Sequence, residues 1–134
     1  MKLFFLVLFA AQFVFAADPS KEISGTVTIS KDAESALTAT GALFIIARPA
    51  GVAKPGTPPV GALRIPQPKF PLKFSIGPEN SMMGGKFDGD ITITARYSAT
   101  GDALDKSGPE GTDPKNLKAK LGKLGLKIEL KPKK

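Results

Sequence analysis

From residue 22 onward, apolar positions recur every second residue, the spacing of a strand with one face in a core and one in water. In "EISGTVTIS", Ile23, Gly25, Val27 and Ile29 share one face while Ser24, Thr26, Thr28 and Ser30 share the other. "KFPLKFSI" repeats the pattern, with Phe70, Leu72, Phe74 and Ile76 opposite Lys69, Lys73 and Ser75. Pro71 puts that strand at an edge, or marks its entry, because proline has no N–H to give a ladder. "DITITARYSATGDA" sets Ile91, Ile93, Ala95 and Tyr97 against Thr92, Thr94 and Arg96. The tail "GLKIELKPKK" sets Leu126, Ile128 and Leu130 against Lys127, Glu129 and Lys131. "ALFIIAR" is apolar almost throughout, which predicts a strand covered on both faces at the centre of a sheet.

Between these runs lie strong breakers. Residues 49–61, "PAGVAKPGTPPVG", hold four prolines and three glycines and cannot form regular structure. "GALRI" follows as a short strand closed by "PQP". "KDAESALTATG" reads as a loop with at most one helical turn, and residues 101–116 as a second long loop. In "LKAKLGKLG" two glycines discourage anything beyond a turn. Six or seven short strands and no persistent helix predict two antiparallel sheets packed face to face, an all-β sandwich. No tryptophan and no cysteine pair is present to pin its core.

The first residues change the compartment. "MKLFFLVLFAAQFVFA" has one lysine, an apolar run from Leu3 to Phe15 and a small-residue exit at Val14 and Ala16. This is the layout of a secretory signal, cleaved after Ala16, and the run falls short of the roughly 20 residues that span a bilayer. Residues 17–134 are then expected to form one exported, periplasmic domain. Losing Lys2 takes the formal charge from +7 to +6.

Composition narrows the chemistry. The chain has no histidine and no cysteine. The usual general base near neutral pH, the common nucleophile–base pairs and nearly all zinc and blue-copper geometries are therefore closed to it. "DGD" at 88–90 is a turn entering a strand, without the further oxygens a calcium loop needs. Asp102 and Asp105 likewise lie in turn sequences that favour aspartate anyway. We expect a non-enzymatic chain with no cofactor and no metal.

Two groups remain as candidates for partner binding. Met82 and Met83, in "FSIGPENSMMGG", are the only methionines besides Met1. Thioethers suit copper(I), which makes a copper carrier the alternative function. Two sulfurs alone under-coordinate the ion, however, and adjacent residues on extended backbone point apart. A plug for one end of the core, or a contact for a partner, fits better. Arg48, Arg64 and Arg96 each sit at or near the end of an apolar strand, where a guanidinium covers the rim, pairs with a carboxylate or meets a partner. Eight lysines between Lys115 and Lys134 suggest weak association with anionic membrane or an acidic partner. Lysines that keep a terminal edge strand from aggregating explain the same pattern. Export and the lack of interleaved aromatics argue against nucleic acid.

The order of the pieces carries a resemblance. "GALFIIAR", a proline-rich loop, "GALRI", "FPLKFSIGPENSMM", "ITITARYSATGDA" and "GPEG" follow one another over about residues 23–131. This arrangement resembles the C-terminal periplasmic domain of the cytochrome c-type biogenesis protein family CycH, also called CcmI. The matching features fall on Gly41 to Arg48, Phe70 to Met83 and Ala95 to Ala103. The resemblance implies an immunoglobulin-like sandwich that assists cytochrome c maturation, its partner an apocytochrome c or a maturation component. It supplies no catalytic residues. The expected cleavable signal stands where that family carries membrane helices, so the resemblance implies an accessory subunit or a domain recruited elsewhere.

Overall fold

The computed structural model describes residues 21–51, 58–81 and 87–133. The signal expected at residues 1–16 and the methionines Met82 and Met83 lie outside the described residues. Seven strands are described: β1 (Ile23–Ile29), β2 (Ala42–Pro49), β3 (Gly61–Pro66), β4 (Leu72–Ile76), β5 (Ile91–Ser98), β6 (Glu110–Thr112) and β7 (Leu126–Leu130). They form a three-stranded sheet in the order β4-β1-β7 and a four-stranded sheet in the order β3-β2-β5-β6. The architecture is the all-β sandwich expected from the alternation.

Period-two patterning does what it predicts in each sheet. Ile23, Val27, Phe74, Ile76, Leu126, Ile128 and Leu130 come inward from one sheet; Leu43, Ile45, Ile91, Ile93 and Tyr97 meet them from the other. Fully burying such a side chain stabilises the fold by about 1.5–3 kcal/mol. β2 lies between β3 and β5 and is buried on both faces, which accounts for its continuous apolar run. β4 begins immediately after Pro71 and takes an edge position.

Three features were not visible in the alternation. β6 lies inside the stretch expected to be a loop, because three residues are too few to show a period. β1 pairs with β7 in parallel, from Gly25↔Leu126 to Ile29↔Leu130, whereas the other pairings are antiparallel. Glu110 and Lys131 then exchange two backbone hydrogen bonds of 3.1 Å and stitch the two sheets along one side. The segment Lys31–Ala36 is a short 3₁₀ helix rather than a loop.

Two side chains lock the ends. At the end where β5 finishes, the buried Tyr97 hydroxyl accepts from the Thr38 N–H at 2.9 Å and donates to the Thr38 carbonyl at 3.3 Å. Gly41 has to be glycine, since a Cβ there would fall on the Tyr97 hydroxyl. At the end where β5 starts, Phe87 and Val60 are buried in the core, and the Phe87 ring packs against the Gly61 backbone.

Candidate docking face

The four-stranded sheet has one face in the core and one facing out. On the outward face β2 contributes Ala42, Phe44, Ile46 and Arg48, the positions between its core residues. Register then fixes their neighbours: Phe44 stands opposite Arg64 on β3 and opposite Arg96 on β5. Arg96 in turn stands opposite Glu110 on β6. A single row thus reads Arg64, Phe44, Arg96, Glu110, with neighbouring strands about 4.8 Å apart. Arg48 lies on the same face opposite Thr92, about 13 Å along β2 from Phe44. The fold therefore brings all three expected arginines to one surface.

Their environments differ. The Arg64 guanidinium lies 6.0 Å from the centre of the Phe44 ring, within range of a cation–π contact, and is exposed. Its Nη2 donates to the Gly101 carbonyl at 3.4 Å. Arg96 is half-buried; its Nη2 donates to the Ala103 carbonyl at 2.9 Å, and its Nε is buried with no partner among the described residues. Arg48 is half-buried and makes no hydrogen bond or ion pair with another described residue. Ala42, Phe44 and Ile46 form a small apolar cluster of their own beneath these cations. Rather than pairing with carboxylates, Arg64 and Arg96 reach backbone carbonyls of the loop after β5.

That loop is organised by its acids. Asp105 accepts from the Ser107 hydroxyl at 2.6 Å and the Ser107 N–H at 3.1 Å. These bonds hold its carboxyl below the ordinary range, with Thr100 and the charge of Arg96 adding to them against a small desolvation cost. Asp102 accepts the Leu104 N–H at 2.9 Å. The loop is thereby held close enough for its carbonyls to receive both guanidinium groups. Across the sheet, Glu110 pairs with Lys133 at 3.3 Å.

Chemically, this face is suited to recognising anionic groups. Guanidinium groups take carboxylates with two parallel hydrogen bonds, and the buried Phe44 ring lies within cation–π range of the Arg64 guanidinium. No cluster of three or more acidic side chains placed to hold a metal ion occurs among the described residues.

One acid was overlooked in the sequence. Asp113 is buried and accepts from the Lys115 N–H at 2.9 Å, the Asn116 amide at 2.8 Å and the Lys127 N–H at 2.9 Å. Burial pushes its carboxyl up, but the bonds from Lys127, Asn116 and Lys115 outweigh it and leave the pKa lowered. It clasps the turn after β6 to the start of β7. The available signal was "TDPKN", an aspartate before proline at a turn.

No family model matches the chain, and no curated protein matches it. Among solved structures, the chain is similar in fold to an alternative pilotin from the type II secretion system of Vibrio cholerae. The likeness has a TM-score of 0.52 at 11% identity and covers 84% of this chain and 98% of the pilotin. At that identity it is a likeness of fold alone.

Proposed function

We propose that this protein is a non-enzymatic, exported binding module that docks a protein partner on the outer face of its four-stranded sheet. The observation that carries this reading is the convergence of Arg48, Arg64 and Arg96 around Phe44 and Ile46. The partner's contact segment carries carboxylates for the guanidinium groups, which stand over a buried apolar cluster of Ala42, Phe44 and Ile46. A chain without imidazole or thiol supports binding rather than bond-making. The resemblance to the CycH/CcmI domain supports an apocytochrome c, or a component that matures it, as that partner, and a periplasmic place of action.

The test is capture from a periplasmic extract. The wild-type domain should enrich an apocytochrome or maturation component over an unrelated sandwich of similar charge. Arg48→Glu with Arg64→Glu should abolish that enrichment while the domain stays folded with only a small fall in its thermal transition, because neither side chain lies in the core. Equal capture by the variant would remove this face from the account; capture of neither class of protein would remove the cytochrome reading.

A further inference from the structure

The two sheets are crossed at one end by a strap, residues 117–125, that the docking face does not use. It begins where the Thr92 hydroxyl donates to the Leu117 carbonyl at 2.6 Å. Ala119 and Ile91 then exchange backbone hydrogen bonds of 2.7 and 2.8 Å at the start of β5. The strap passes to the other sheet, where the Gly122 N–H donates to Glu22 and the Ser24 N–H donates to the Lys123 carbonyl. Ala119 is buried and Leu121 packs on the core. The residues between them and beyond turn outward: Lys118, Lys120 and Lys123 are exposed. So are two leucines, Leu117 at 48% and Leu124 at 56%.

We infer that this strap is a membrane-surface contact, with Leu117 and Leu124 entering the headgroup region of an anionic bilayer and Lys118 and Lys123 meeting its lipid phosphates. Exposed leucines flanking lysines is the composition of an interfacial segment: apolar side chains enter the boundary while cations stay with the headgroups. Lys120 is held by Asp90 at 2.9 Å, whereas Lys118 and Lys123 have no ion pair among the described residues. The opposite end carries Lys131 and Lys133, but Glu129 and Glu110 accompany them.

Vesicle flotation tests this with the chain from Ala17 onward, which keeps all seven strands. It should float with vesicles containing phosphatidylglycerol, stay behind with purely zwitterionic vesicles, and be released by raised salt. Lys118→Gln with Lys123→Gln should weaken partitioning about fivefold per lysine. Leu117→Asn with Leu124→Asn should weaken it by at least about fivefold in all, while Lys131→Gln with Lys133→Gln should leave it unchanged. All four lysines are exposed, so the two charge variants should share the wild-type thermal transition. The proposal falls if no flotation occurs, if lipid charge is irrelevant, or if the control pair weakens binding as much as the strap pair. It also falls if an acidic polypeptide binds the strap more tightly than the vesicles do, since the strap would then read protein. None of these outcomes bears on the arginine face, which the capture experiment tests separately.

Discussion

Replacing Asp113 by asparagine should cost the fold more than its place in a lysine-rich turn suggests. Its two oxygens take three donors, two of them peptide N–H groups, and one donor belongs to β7 itself. Asparagine keeps the shape but turns one oxygen into a donor, so at least one of the three partners loses its acceptor. The remaining bonds also lose the charge that strengthens them. A bond to a charged group is worth about 1.5–3 kcal/mol and a neutral one about 0.5–1.5, so with water near the turn the net loss should be about 2 kcal/mol. For a domain of this size, that lowers the melting temperature by roughly 6–10 °C. The loss should depend on pH in a defined direction. Because the folded carboxyl lies below its ordinary value, its contribution is complete above the unfolded pKa of about 3.9 and disappears as pH falls through the folded one. Urea titrations of the two proteins should therefore differ at pH 7 and converge as acid protonates the folded carboxyl, where aspartic acid and asparagine offer similar groups. A difference below about 0.5 kcal/mol at neutral pH, or one that persists in acid, would refute the clasp.

Other outcomes follow from the same geometry. Gly41→Ala should lower stability by about 2–3 kcal/mol in chemical denaturation, because the new methyl falls on the Tyr97 hydroxyl. Tyr97→Phe should cost about 1 kcal/mol, the worth of one hydrogen-bonding group whose partner Thr38 remains open to water. Combining it with Gly41→Ala should recover part of that loss, measured as non-additivity in a double-mutant cycle. Arg64→Gln should lower the melting temperature by only about 2–4 °C, as expected for an exposed cation–π contact, while weakening partner capture. Copper(I) titration under reducing conditions should give the same uptake for wild type and for Met82→Ala with Met83→Ala; a lost equivalent would revive the carrier function.

How far the sequence could be read depended on the range of the interaction involved. Alternation at Ile23, Val27, Phe74, Ile93 and Ile128 identified core positions, since burial of a strand face is decided by local parity. The continuous run from Ala42 to Ala47 identified the doubly covered strand for the same reason. What alternation cannot carry is register between distant segments. Parity placed Arg96 away from the core, and Arg64 and Arg48 near strand ends. Their alignment with Phe44 follows only from the pairing of β2 with β3 and β5. Glu110 to Thr112 showed no strand signal because its partners, Arg96 and Lys131, lie far away in the chain. Phe87, between glycines in "GGKFDG", could have been singled out as a lone aromatic in a polar loop.

The parallel pairing of the first strand with the last sets an order of events for the nascent polypeptide. A chain delivered from its amino terminus presents β1 early, yet one of that strand's ladders stays unfilled until residue 126 and beyond arrive. Until then Ile23 and Val27 lack part of their cover, and the sandwich cannot close. Closure of the sandwich is thus postponed by the connectivity itself: the first strand waits for β7.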